Sequence, residues 1–103
     1  MSIRPLQRED VPALGAALAR LPLMQRYRRD ATRLRADLTA ALSRGDGLLV
    51  EEGEGGPRGL AWFLRSGTLG MGGYLRLIAV APEATGSGVG ARLLQAFEAE
   101  VAR

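Results

Sequence analysis

The 103 residues contain no cysteine and no histidine, and all 14 basic residues are arginine, so lysine is absent as well. Without cysteine there are no disulfides and no thiolate metal sites. Without histidine the commonest general base and the commonest transition-metal ligand are lost together. A Ser-His-Asp triad and a zinc hydrolase are therefore excluded, and no metal is expected. Without lysine neither a Schiff base nor a P-loop can form. Long apolar runs are also missing: no stretch approaches the roughly 20 apolar residues of a membrane helix. The N-terminal Met-Ser-Ile-Arg-Pro lacks the apolar centre of a signal peptide. A soluble cytoplasmic protein with no membrane partner is the expectation.

What is present fits one small folded domain. Hydrophobic residues make up 47% of the chain, which argues against disorder. The net charge is +3 and the isoelectric point near 10.5. That imbalance favours anionic ligands but is too mild to imply nucleic acid. Arg26, Arg28, Arg29, Arg33 and Arg35 form the densest positive cluster. It reads either as a solvated helix face or as a patch for an acidic substrate or a phosphate.

Along the chain, residues 2–6 read as a short strand. Asp10 is placed to cap a helix, with Pro12 in its first turn and Val11, Leu14, Leu18 and Leu21 at helical spacing; Pro22 closes it. Asp30 caps a second helix, with Leu34, Leu38, Ala41 and Leu42 as its apolar stripe and Gly45 beyond its end. Residues 47–52 and 58–65 predict an antiparallel hairpin across a turn at 53–57. Leu60, Trp62 and Leu64 share one face, opposite Ala61 and Phe63, and Trp62 is a core candidate. Residues 67–73 read as a glycine-rich loop, and residues 74–81 as a further strand. In the last helix Val89, Leu93, Phe97 and Val101 form the apolar stripe, with Arg92, Gln95 and Glu98 facing water. Glu51 and Glu52 are expected to face solvent.

Residues 79–94 are the most informative stretch. A strand ends in Pro82, a short loop carries Gly86, Gly88 and Gly90, and a helix opens directly from it. Glycines lack the Cβ that would hold a ligand away, and a helix N-terminus attracts negative charge. The pattern predicts a phosphate cradle. A P-loop fails for want of lysine. The dinucleotide fingerprint fits poorly, because its glycines are spaced Gly-x-Gly-x-x-Gly directly after the strand.

The string from Ile78 through Leu94, with strand, Val-Ala-Pro, Thr85, Gly86-x-Gly88 and helix in register, resembles the acetyl-CoA-binding motif of the GNAT N-acetyltransferase family. Upstream, Ile3-Arg4-Pro5 before an Asp-capped helix resembles that family's first strand and helix. The resemblance implies an α/β protein of α+β type with a mixed sheet, an acyl-CoA N-acyltransferase fold truncated to the order β-α-α-β-β-β-α. It implies acetyl-CoA as co-substrate and a small-molecule or peptide amine as acceptor. The pantetheine arm would lie along Ile78, Ala79 and Val80. The pyrophosphate would sit on N–H groups of Gly86, Ser87, Gly88, Val89, Gly90 and Ala91, beside Thr85. Thr85 stands where the family usually has arginine or glutamine, a short hydroxyl in place of a long polar side chain, so one phosphate contact is expected to be weakened or lost. The family continues past this helix with further elements that commonly supply the acid. A single domain over residues 1–103, incomplete at its C-terminal end or completed by a second copy through exchanged elements, is the expectation. An N–H of Val80 or Ala81 is the candidate oxyanion donor. Glu83, Tyr74, Glu51 and Glu52 are the base candidates, and none is assigned. The alternative function is a non-catalytic module that binds CoA or another nucleotide.

Overall fold

The computed structural model describes residues 2–64 and 74–102. The expected loop at 67–73, and Arg65 at the end of the second hairpin strand, lie outside the described residues. The elements are β1 (Ser2–Pro5), α1 (Val11–Ala19), α2 (Pro22–Arg26), α3 (Ala31–Arg44), β2 (Gly47–Gly53), β3 (Gly56–Leu64), β4 (Tyr74–Val80) and α4 (Val89–Val101). Single 3-10 turns stand at Arg8–Asp10 and Pro82–Ala84. The strands form one sheet in the order β1-β2-β3-β4. The α+β class stands, and over the described strands the sheet is antiparallel throughout.

Strand alternation divides the core between the two faces of this sheet. Leu48, Val50, Leu60, Trp62 and Ala79 pack against Leu14 and Leu18 of α1 and Leu34, Leu38 and Ala41 of α3. Leu49, Ala61, Ile78 and Val80 face the other way, toward Val89 and Leu93 of α4. The Phe63 ring meets Phe97 edge-on, with centroids 5.1 Å apart. Each fully buried leucine is worth roughly 1.5–3 kcal/mol. The helices are thus held by their apolar stripes, with caps as a smaller contribution.

Asp30 behaves as expected: its carboxylate accepts from the Arg33 N–H at 2.9 Å. Gly45 ends α3 in the left-handed region, at φ 83°. Asp10 occupies the position before α1, but its carboxylate does not cap that helix. It turns back to accept the Gln7 N–H at 2.8 Å and two bonds from the Arg4 guanidinium, at 2.7 and 2.9 Å. A bidentate arginine outcompetes a single backbone donor. Arg4 also reaches Glu52 on β2, so one side chain ties β1, its neighbour strand and the entry to α1. Pro22 does not close the first helix. That helix ends at Ala19, and Pro22 opens α2 from an extended Leu21. A proline in a first turn loses no hydrogen bond, and it forces the residue before it out of helical geometry. The hairpin turn is tighter than its composition suggested: Gly53 already pairs with Gly56.

Four carboxylates are held below their ordinary values: Asp10 by Arg4, Asp46 by Arg44 and the Trp62 N–H, Glu51 by Arg92 and Arg58, and the exposed Glu83 by Arg20. A lowered folded-state value means that the unfolded chain binds more protons in acid. The stability these groups contribute is therefore complete above the ordinary carboxylate range of about 4 and is lost as pH falls through the lowered values. With no histidine or cysteine, no side chain ordinarily titrates between about pH 5 and 8. Thermal unfolding followed by circular dichroism should give a flat melting temperature across that span and a steady fall below about pH 4. A step near pH 6–7 would contradict this assignment.

Candidate functional site

The glycine loop leaves β4 through a fixed path. The Ala81 N–H donates to the Arg58 carbonyl at 2.8 Å, extending the β3–β4 pairing by one bond. Pro82 then starts the 3-10 turn, and Ala84 is buried against the α4 side of the sheet. The Thr85 hydroxyl donates back to the Ala81 carbonyl at 3.4 Å, and the Ser87 hydroxyl donates to the Ala84 carbonyl. Both side chains shape the loop from within. Gly86 and Gly88 adopt φ of 86° and 83°, in the left-handed region that favours glycine. Nothing lies within 4 Å of a Cβ built at Gly86, so its open side faces free space. Gly90 differs, being helical, and a Cβ there would make only ordinary contact with Val80, at 3.8 Å. The chain itself therefore does not require glycine at position 90.

The amides of this segment are largely unspent. The first bond of α4 runs from the Arg92 N–H to the Gly88 carbonyl at 3.1 Å, so Val89, Gly90 and Ala91 precede any intrahelical partner. Among the described residues no backbone carbonyl accepts from Gly86, Gly88, Val89, Gly90 or Ala91, whereas the Ser87 N–H donates to Ala84 at 3.3 Å. The positive end of the helix dipole adds to this cluster of donors. The arrangement suits a compact anion with several acceptor oxygens.

Behind the loop stands an ion cluster that the pattern of the sequence did not reveal. Glu51 does not face solvent: it is 1% exposed, on the face of β2 turned toward α4. Its carboxylate accepts from Arg92 Nε at 2.6 Å and Nη2 at 2.9 Å, and from Arg58 Nε at 3.0 Å. Arg92 is not simply in water either. Its Nη1 donates to the Ser87 carbonyl at 3.2 Å, which links the loop to the buried acid. Strand alternation carried the missed signal, since Glu51 follows Leu49 on the same face. Only the position of α4 shows what partners it. Gly59 sets that position: a Cβ there would come within 2.6 Å of Val89 and 2.9 Å of Leu93.

The remaining candidates separate cleanly. Glu52 is exposed and pairs with Arg4. Glu83 is exposed and takes two bonds from Arg20, at 2.7 and 3.0 Å. Tyr74 is 61% exposed at the start of β4. Along β4 the Ala81 N–H is used, and antiparallel bonding alternates, so Ala79 also turns its amide to β3. Ile78 and Val80 then present theirs to the opposite edge, where no described strand pairs. Of the two candidate donors, the Ala81 N–H is spent on β3 and the Val80 N–H points to the open edge.

No family model matches this chain, and no curated protein is significantly similar to it in sequence. Solved structures share its fold. A ribosomal-protein-alanine N-acetyltransferase from Brucella melitensis is 25% identical, with a TM-score of 0.74 over 99% of this chain and 67% of its own. A GNAT family acetyltransferase from the same organism, solved with acetyl-CoA, is 18% identical at a TM-score of 0.70, over 98% of this chain and 68% of its own. An aminoglycoside 6′-N-acetyltransferase solved with coenzyme A is 18% identical at 0.75, over 99% and 56%. The chain spans about two thirds of the length of the first two. Its fold is that of the GNAT N-acetyltransferases, and the likeness supports the assignment that the glycine motif carries.

Replacing Glu51 with glutamine keeps the shape but removes the charge that both arginines share. We expect Glu51→Gln to lose about 1–3 kcal/mol in urea unfolding, the usual cost of leaving buried polar partners unmatched. An unchanged midpoint would show that the cluster is decorative.

Proposed function

We propose, with this acetyltransferase fold as the premise, that the chain is an acetyl-CoA-dependent N-acetyltransferase or the cofactor-binding portion of one. The observation that carries the reading is the group of unspent amides at Gly86, Gly88, Val89, Gly90 and Ala91, beside the open edge of β4. Acetyl-CoA would supply the activated acetyl thioester and a pyrophosphate. The amides fit the pyrophosphate, since five donors without a backbone partner follow one another along the loop and first helical turn, and Gly86 leaves open space beside them. Ser87 and Thr85 serve by shaping the turn. The edge amides of Ile78 and Val80 would bond the pantetheine arm as an added strand does, with Ala79 between them fixing the strand to β3.

The Val80 N–H would polarise the thioester carbonyl. Neither Glu51 nor Glu83 is suited to deprotonating the amine. Glu51 is locked between two guanidinium groups and held ionised, and Glu83 is bound to Arg20. No base is assigned among the candidates. The alternative of a binding module without transfer rests on no base being assigned. Assay against a panel of amines separates the two, since acetyl transfer to any of them rejects the module.

Gly90→Asp tests the site without breaking the fold. An acidic side chain in a helix's first turn is favourable to the helix, so the melting temperature should hold or rise. The same charge would face the pyrophosphate, and acetyl-CoA affinity by calorimetry should fall by about tenfold or more. Equal affinity in the variant and the original chain would remove the proposed site.

A further inference from the structure

A second feature lies on the sheet face that packs against α1 and α3, away from the glycine loop. The β3–β4 register slips here: Trp62 pairs with Leu77 but Phe63 with Leu75, so Arg76 has no partner across the ladder. Plain alternation would send Arg76 to the α4 side with Ile78 and Val80. The bulge re-aims it instead, as bulges do. Arg76 and Leu77, consecutive in sequence, both line a cleft of about 290 Å³ together with Trp62, Arg29, Arg44 and Asp37.

The charges of this cleft are unevenly balanced. Arg29 pairs with Asp37 at 3.1 Å, and Arg44 with Asp46 at 2.8 Å. The Arg76 guanidinium instead lies over the Trp62 ring, 4.8 Å from its centre. Among the described residues no carboxylate stands within ion-pair distance of it. Trp62 is itself anchored, its indole N–H donating to Asp46 at 3.0 Å. A guanidinium stacked on a fixed ring keeps its in-plane donors free, and that fork matches a carboxylate or phosphate.

We propose that this cleft binds the acetyl acceptor by an oxyanion, with Arg76 as the anchoring cation and Trp62 as its support. That the ligand is the acceptor rests on the acetyltransferase reading; that it is an anion rests on the cleft alone. The acceptor is then an amine that also carries a carboxylate or a phosphate group.

Trp62 is the single tryptophan of the chain, so its emission reports directly on the cleft. The full chain is titrated with L-glutamate, O-phosphoethanolamine and ethanolamine. Glutamate or O-phosphoethanolamine should give a saturable change, the tighter of them identifying the anion, and ethanolamine none. Arg76→Gln, at an exposed position, should weaken that binding about tenfold or more, and Arg76→Lys should restore part of it. An equal response to ethanolamine, no response to either anion, or unchanged affinity in Arg76→Gln would overturn the proposal. Gly90→Asp should leave the titration intact. If the original chain binds the anion but not acetyl-CoA, the acetyltransferase reading fails and the anion site stands. If it binds acetyl-CoA but neither anion, only the anion site fails.

Discussion

The Glu51 carboxylate is the contact on which the glycine-loop side of this molecule depends. It joins β2, the start of β3 through Arg58, and α4 through Arg92, and Arg92 passes the connection on to the Ser87 carbonyl. A lone buried carboxylate would cost several kcal/mol, so the acid is stable there only while both arginines reach it. That requirement fixes where α4 can sit. The helix must lie close enough for Arg92 to span the gap, and Gly59 leaves room for Val89 and Leu93 to do so. The glycine loop, with few bonds of its own, takes its shape from this framework. Its amides can stay unspent because other groups hold the backbone.

Strand β4 has two geometries on one stretch of seven residues. Its C-terminal half runs straight, turns Ile78 and Val80 toward α4, and leads into the amide cluster. Its N-terminal half contains the bulge, which places Arg76 over Trp62 on the opposite face. A straight strand would have put every second side chain on the same face from end to end. One extra residue suffices to break that rule and to bring a cation into a cleft otherwise balanced in charge.

Much of the fold could be read from local pattern. The stripe of α3, its Asp30 cap and its Gly45 end depend on neighbours within one or two turns, and the structure has them as expected. The strand-loop-helix unit around Gly86 and Gly88 was legible for the same reason, since positive φ is a local demand that glycine meets. Asp10 and Pro22 misled because two local roles were open to each. Asp10 could cap a helix or bind an arginine, and Arg4, six residues away, decided it. Pro22 could end one helix or begin another, and the extended Leu21 before it suits both.

By itself the sequence determined the chemistry that is impossible here, the order of the elements apart from the short α2, and the strand-loop-helix form of the glycine segment. Those follow from residue types and short spacings. Tertiary structure alone decided that Glu51 is buried, that Arg92 braces the loop, and that Arg76 turns into the cleft. Each of these joins groups far apart in the chain, 41 residues in the case of Glu51 and Arg92. Whether a charge faces water or a partner depends on which helix covers its strand, and on a register shift that no single strand encodes.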